Sequence, residues 1–328
     1  MNGDLPMTHS GLLLDSTTTL PDGYVETHGI TVIPVPIYAS GREYRNGIDI
    51  DEEGFLRLLE TSKDRPSTAV PGIGEFVSWY ERVLGDHRNV IYPIASRRLS
   101  GLFNAAVQAG LSMDGASVVA LDPEEGQQDG VVAMFSGAKD PEQQLARVAG
   151  LPPPVIVVLN SDSVSGGVGL IAIHGCDAID RGSSLEGVLA RMIACKSTLR
   201  LHFILSSLDY VVDRVGQLQV LLGTMLQIRP VMAINNGMVE DVAKARGRSR
   251  SKHQMLELTR RHTGDRLVDV VVLHSREPDE AQALLEETRA CLNVHRSWVT
   301  GIGCTVSRYT GRGGLGIVVA DAQASSGA

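Results

Sequence analysis

The sequence has no C-x-x-C pair: its four cysteines, Cys176, Cys195, Cys291 and Cys304, stand far apart. That spacing excludes a disulfide framework and a thiolate zinc site, and it fits reduced thiols in a cytoplasmic protein. No apolar run approaches the roughly 18 residues that a membrane span requires. Met1–Ser10 carries neither Lys nor Arg nor an apolar core, so no signal peptide is expected. Positive charge is not in excess either. Thirty basic against 38 acidic residues give a formal net charge of −8, which speaks against a general nucleic-acid binder. There is no Gly-Lys-Ser/Thr, hence no Walker-type nucleotide loop. Gly311-x-Gly313-x-x-Gly316 matches the dinucleotide fingerprint letter for letter. It lies too near the end of the chain for the helix, second strand and acidic residue that such a site needs. No cofactor and no metal are expected.

What is present is a chain of 328 residues, 43% hydrophobic and 21% charged, which is soluble-protein composition and enough for two domains. The most telling segment is Ile94-Ala95-Ser96-Arg97-Arg98-Leu99-Ser100-Gly101, set between an apolar run from Val90 and an Ala-rich helical stretch. A helix start offers unpaired N–H groups and a partial positive charge, and hydroxyls at Ser96 and Ser100 add donors for a small anion. No His, Asp or Glu lies within the segment to activate either serine. It reads as a place to hold a carboxylate or phosphate. From local sequence alone, each serine is equally a simple helix N-cap, and Thr68 ahead of Pro71 carries the same ambiguity.

Along the first half, short apolar runs alternate with amphipathic stretches. Leu12–Leu14, Ile30–Tyr38, Val90–Ala95, Ser117–Leu121 and Val155–Leu159 read as strands, and Asp51–Leu59, Gly74–Leu84 and the stretch from Ser100 as helices. This alternation predicts a parallel sheet covered on both faces, with binding at the carboxyl ends of its strands. The turns Asp15–Thr19, Thr68 and Ser96–Ser100 all fall there. Asp15 lacks a second Asp two residues on, where Thr17 stands, so it is read as a turn or sheet-end cap and not as a phosphotransfer nucleophile.

Residues 123–154 read as an added strand–helix unit, with Val131–Phe135 as the strand and a helix from Asp140. In the second half, helices are expected at Gly169–Ile179, Ser184–Cys195, Leu208–Arg214, Val220–Leu226, Ser249–Arg261 and Pro278–Leu292. Strands are expected at Leu201–Leu205, Val268–His274, Trp298–Thr305 and Gly314–Val319, with a hairpin turning at Asn236-Gly237. The expected architecture is therefore α/β in two domains. An N-terminal parallel-sheet α/β/α domain (1–165) packs against a smaller C-terminal α+β domain (166–320), with ligand between them and a disordered tail (321–328).

The order of these turns resembles the DegV family of bacterial fatty-acid-binding proteins over nearly the whole chain. Asp15-Ser16 resembles the family's opening Asp-Ser turn. Ile33-Pro34 with Tyr44 and Gly47 resembles its proline and Tyr-x-x-Gly segment, and Thr68-Ala69-Val70-Pro71 stands for Thr-Ser-Gln-Pro. Ile94-Ala95-Ser96 with Leu99-Ser100-Gly101 fits Ile-Ser-Ser-x-x-Leu-Ser-Gly. Asn160-Ser161 through Ser165 stands for a second Asp-Ser turn, and Leu226-Gln227-Ile228-Arg229-Pro230 matches Leu-x-Ile-Lys-Pro. Each motif alone is weak; six in order are specific.

The resemblance implies a long-chain fatty acid in an apolar interdomain tunnel, its carboxylate on Thr68, Ser96, Ser100 and the Gly101 amide. Arg214, Tyr309, His274 and Ser161 stand in support. It further implies a cytoplasmic carrier that presents the acid to a fatty-acid kinase in phospholipid synthesis, with no catalysis of its own. The chain departs from the pattern at Ala95 (for Ser), Leu102 (for Thr) and Tyr309 (for His), and Asp213-Arg214-Val215 stands for Gly-Gly-Arg-Ile.

Two other functions compete. A serine-dependent acyl or phosphate-ester hydrolase would use Ser96 or Ser100 with a base, for which His274 is the candidate by its strand-end position. A lapsed family member would act as an interaction module through the added unit or the basic run. That run, Arg246, Arg248, Arg250, Lys252, Arg260 and Arg261, reads by default as a solvated face and otherwise as a docking surface for an acidic partner or a membrane.

Overall fold

The computed structural model describes residues 10–62, 64–122, 130–135, 140–206 and 228–322. In the first part β1 (Gly11–Asp15), α1 (Tyr24–Thr27), β2 (Thr31–Ile33), β3 (Pro36–Ala39), β4 (Arg42–Arg45), α2 (Glu52–Thr61), β5 (Ser67–Thr68), α3 (Ile73–Leu84) and β6 (Asn89–Ile94) follow in order. α4 (Leu102–Leu111), β7 (Ser117–Leu121), β8 (Val131–Met134), α5 (Pro141–Ala149) and β9 (Val155–Asn160) complete it. Two helices, α6 (Gly166–Asp180) and α7 (Leu185–Thr198), lead to β10 (Arg200–Ile204), β11 (Ile228–Asn235), β12 (Met238–Arg246), α8 (Arg248–Thr263) and β13 (Val268–His274). The chain ends with α9 (Pro278–Cys291), β14 (Val294–Gly301), α10 (Cys304–Thr310) and β15 (Leu315–Asp321). Arg214 and the expected helices at Leu208–Arg214 and Val220–Leu226 lie outside the described residues.

Strands β1, β6 and β9 are apolar and buried almost end to end, as strands of a parallel sheet covered on both faces must be. They form the centre of an all-parallel sheet ordered β2-β1-β6-β9-β7-β8. Residues 123–154 contribute its edge, β8, and α5. A second, mixed sheet runs β12-β11-β10-β15-β13-β14, antiparallel except for the β13–β14 pair. Side chains alternate between its faces: Val268, Val270 and Val272 of β13 join the core under α8 and α9, whereas Val271 and Leu273 face α6. The layers are thus α3 and α4, the parallel sheet, α6 and α7, the mixed sheet, then α8 and α9. A small sheet, β4-β3-β5, stands beside them. Pro34 separates β2, in the parallel sheet, from β3, in the small one.

Helix α6 is the shared layer, and 12 of its 15 residues are buried. Its fit is close on two sides. A Cβ on Gly166 would lie 2.7 Å from Leu273 in the mixed sheet, and one on Gly169 would lie 2.1 Å from the Thr19 carbonyl oxygen beyond β1. The buried His174 of α6 is paired through one ring nitrogen, and the half-buried Asp177 through its carboxylate. His174 Nε2 lies 2.9 Å from Asp269 Oδ2, and Arg296 donates to Asp269 at 2.7 Å and to Asp177 at 2.8 Å.

Two expectations need correction. The strand expected at Trp298–Thr305 begins and ends earlier, at Val294–Gly301, because Gly303 takes a left-handed φ of 84° and starts α10 at Cys304. The tail expected at 321–328 is corrected at its start, since Asp321 pairs with Val268 in β15; residues 323–328 lie outside the described residues.

Gly169→Ala tests the fit of α6. Alanine favours helix by about 1 kcal/mol over glycine, but a 2.1 Å approach to a backbone oxygen forces the helix off the first sheet, and overpacking costs about 1–3 kcal/mol. Net destabilisation is expected, read as a lower urea midpoint; an unchanged or raised midpoint would mean that α6 has room there.

Candidate functional site

In the parallel sheet the chain leaves β1 for β2 on one side and returns through β6 on the other, which opens a crevice between the carboxyl ends of β1 and β6. A proline widens it. The Ile94 carbonyl accepts from Ser161 N at 3.1 Å on the β9 side, so in the alternating ladder its neighbour Pro93 faces β1. Proline has no N–H to give, and the β1–β6 pairing stops at Leu12↔Ile91.

A cavity of about 480 Å³ occupies this crevice and continues over the mixed sheet, a volume typical of small-ligand sites. Its apolar wall is the inner face of that sheet, Leu201, Phe203, Ile234, Val239 and Leu273, joined by Val35, Leu99, Leu102 and Val164. Its polar end is made by Thr68, Ser100, Gly101 and Tyr309, with Arg97 and Arg98 on the same turn as Ser100. Among the described residues no Asp, Glu or His lines it.

The structure brings Thr68, Ser100, Gly101 and Tyr309 together and sets the other expected residues apart. Ser96 is fully buried and donates to the Gly237 carbonyl at 2.8 Å. Its own carbonyl accepts from Leu99 N and Ser100 N, and its Oγ accepts from Arg98 N at 3.3 Å. Ser96 is the peg on which the Arg97–Ser100 turn is wound, not part of the wall. Ser161 is likewise buried, exchanging hydrogen bonds with the backbone of Ser163. His274 sits on the face of β13 opposite Leu273, where Nδ1 accepts from Glu277 N at 3.3 Å; burial and the nearby Arg276 push its pKa down. A base for Ser96 or Ser100 is therefore not found where the hydrolase reading placed it.

Each wall residue is held by groups behind it. Ser100 Oγ accepts from Leu102 N at 3.3 Å, leaving the hydroxyl proton to donate into the cavity. α4 begins at the same point with Gly101 as its N-cap, so its first-turn N–H groups and positive dipole end lie at the polar end. Thr68 is fixed by β5, pairing with Ile37 of β3. Tyr309 rides on α10, which Ser307 ties to Glu52 at 2.7 Å and Arg308 to the Pro66 carbonyl at 2.7 Å.

The Asp15-Ser16 turn acts from outside. Asp15 accepts from Thr17 N at 2.8 Å, from the Thr17 hydroxyl and from Tyr92 OH at 2.7 Å, while Ser16 Oγ accepts from Val35 N at 2.9 Å. Thr17 and Val35 line the cavity; their holders do not. Burial pushes the Asp15 carboxyl above its ordinary range, against these hydrogen bonds.

Sequence reasoning missed Pro93, Thr17, Ser165 and the arginines as parts of the site. Ser165 carries a left-handed φ of 52° and lines the cavity, and it bridges the two halves by donating to the Ile302 carbonyl at 2.8 Å. A proline inside an otherwise continuous apolar strand was the available signal for the crevice. The basic run lies on and around α8, on the far side of the mixed sheet. There Arg248 pairs with Glu280, Lys252 with Glu287 and Arg260 with Glu257. No helix among the described residues is long and apolar enough to cross a membrane.

Because the folded-state pKa of Asp15 is raised above the unfolded value of about 3.9, the folded state holds the proton more tightly. Its contribution to stability is full below that pH and is lost as pH rises through the folded value. Asp15→Asn keeps the shape and removes the titration. Urea unfolding across pH should show the wild type losing stability relative to Asp15→Asn as pH rises; a pH-independent difference would refute the raised pKa.

With this geometry in hand, comparison with known proteins is informative. The family model described as "Uncharacterised protein, DegV family" matches residues 10–322. A DegV domain-containing protein of Streptomyces coelicolor is 26% identical over 95% of this chain and 98% of its own. Among solved structures, a DegV lipid-binding protein from Thermotoga maritima superposes with a TM-score of 0.76 at 22% identity, covering 96% of this chain and 99% of that one. A DegV family protein from Thermus thermophilus, described by its fatty-acid binding, gives 0.75 at 24%, covering 95% and 99%.

Proposed function

The chain belongs to the DegV family, and from that premise we propose that it binds a long-chain fatty acid in the cavity between its two sheets. The observation that carries the reading is the cavity itself: apolar along the mixed sheet, hydroxyl-lined at one end, and, among the described residues, without an acidic side chain. The description of the Thermus thermophilus relative as fatty-acid-binding supports the same ligand class.

The energetics divide naturally. Burying one methylene contributes roughly 0.8 kcal/mol, so a long acyl chain brings on the order of 10 kcal/mol before ordering costs. The head group then has only to be oriented. Thr68 and Ser100 donate hydroxyl protons to the carboxylate, and Gly101 and the start of α4 supply backbone amides and a favourable dipole. Tyr309 stands at the same end with a phenolic hydroxyl.

Among the described residues no base lies in the wall to activate a serine, and on this reading the acid is held without being transformed. The protein acts as a carrier. Its lining turn, Arg97 to Gly101, lies at the mouth, so the carboxyl end is the end presented to a partner. A cytoplasmic fatty-acid kinase feeding phospholipid synthesis is the partner that this presentation suits.

Mass spectrometry of organic extracts of the purified protein should recover a long-chain acid in stoichiometric amount. A blank extract together with no uptake of added palmitate or oleate would refute the reading and favour the interaction module. The double variant Thr68→Ala, Ser100→Ala should weaken palmitate binding by about 1–3 kcal/mol, two neutral hydrogen bonds' worth, with unchanged unfolding. Unaltered affinity would remove these two residues as head-group ligands.

A further inference from the structure

The polar end of the cavity is unusual in what faces it. Ala95 and Leu102, the residues flanking the Ser96–Gly101 turn, present aliphatic groups to the cavity. Thr17 spends its hydroxyl proton on Asp15, and Ser165 spends its own on Ile302. Thr310 likewise donates to the Gly311 carbonyl, so the neutral donors left are Thr68, Ser100, Tyr309, Asn104 and Thr305. A carboxylate leaving water for this space needs charge as well as hydroxyls, because a desolvated anion without a counter-charge is costly.

Two cations line the same wall, Arg97 and Arg98. Arg97 is engaged elsewhere: its Nε donates to the Asp122 carbonyl at 3.0 Å and its backbone N–H to Asn160 Oδ1 at 3.2 Å. Arg98 is exposed, and among the described residues its guanidinium has no carboxylate or carbonyl partner. Its backbone, in contrast, is fixed. The Arg98 N–H donates to Ser96 Oγ, the following two amides bond to the Ser96 carbonyl, and Ser96 itself is anchored to Gly237 across the molecule. The Asn236–Gly237 turn presses close enough that a Cβ on Gly237 would lie 2.4 Å from Ser96 Oγ. On the other flank Val70 packs against Gly101. A guanidinium without a partner among the described residues is therefore carried on a rigid turn at the mouth of a cavity in which no described residue is acidic, the arrangement that pre-organises an anion contact.

We propose that Arg98 is the specificity-determining residue of this cavity, a counter-charge that selects amphiphiles with an anionic head group over neutral ones of equal chain length. The proposal rests on the fatty-acid reading above and names what that reading leaves open, the source of discrimination between an acid and an alcohol or ester. A guanidinium is a permanent cation in proteins. Discrimination should then follow ionisation of the ligand, not of a protein side chain, and should weaken with added salt.

The test titrates palmitate, 1-hexadecanol and hexadecyl phosphate into the wild type, Arg98→Gln and Arg98→Lys. Arg98→Gln should lose roughly ten- to hundredfold in affinity for palmitate and hexadecyl phosphate, the worth of a charge-assisted contact, while hexadecanol binds as before. Arg98→Lys should keep a preference for the anions, and the salt dependence of palmitate binding should vanish in Arg98→Gln only. If Arg98→Gln binds palmitate like the wild type, with the same preference over hexadecanol, the proposal fails while the fatty-acid reading stands. If it loses hexadecanol along with palmitate, Arg98 serves the turn and the proposal also fails. If none of the three binds the wild type, the fatty-acid reading fails and takes the proposal with it.

Discussion

The structure depends on one constraint, the burial of α6 between two sheets. A helix buried on both sides must be apolar where the sheets meet it, and the run from Gly166 to Ala178 is, apart from His174 and Asp177. It must also be thin where the sheets press closest, which is why glycine stands at 166 and 169. Its buried His174 and half-buried Asp177 are not left alone; Asp269 and Arg296 reach in from β13 and β14 to meet them. Within that network burial would raise the Asp269 pKa, and the hydrogen bonds from His174, Arg296 and His295 outweigh it, so the carboxylate is held below its ordinary range. The sheets are joined through a common core, and the residues before α6, Val164 and Ser165, form part of the cavity wall.

From this follows where a ligand can go. The two sheets share α6 along its length, and the cavity lies beyond its first turn, where the parallel sheet has a crevice. Pro93 is the local cause of that crevice, because a central strand that cannot donate at one position cannot stay zipped to β1. The hydroxyls nearby then divide into two kinds. Ser96, Ser161 and Ser16 satisfy backbone groups that the broken ladder and tight turns would leave bare, and Thr68 and Ser100 reach the cavity.

Much of this was legible in the amino-acid order and some was not, for definable reasons. β7 at Ser117–Leu121 and β13 at Val268–His274 coincide with the expected runs, because fully buried strands leave continuous apolar stretches with sharp ends. The turn at Asn236-Gly237 was readable because both residues must take positive φ, 47° and 75° here, and few other pairs can. α10 was not readable. Cys304-Thr305-Val306 continues the β-branched pattern of β14, and only its packing against α2 makes it a helix. Nor could local sequence separate Ser96 from Ser100. Both are serines on one turn, and what divides them is the distant Gly237 carbonyl. His274 was a different case: strand alternation alone puts it opposite Leu273, and the period-two rule would have removed it from the cavity.

The division of hydroxyls also bears on what the site can do. Catalysis by serine requires a proton acceptor aimed at the nucleophile, oriented in turn by a third group. Here the buried acid nearest the crevice, Asp15, spends its oxygens on Thr17 and Tyr92, and burial favours its neutral form. The strand-end imidazole faces the other core. An apolar cavity with oriented donors and no acceptor of protons stabilises an anion without lowering any barrier to its reaction, because such contacts are made equally before and after. Uniform binding of this kind is useless to an enzyme and is what a holder of a reactive-ended lipid requires. On the reading proposed above the chemistry is left to a partner, and the turn from Arg97 to Gly101, with Arg98 and Gly101 exposed, is the surface it would meet.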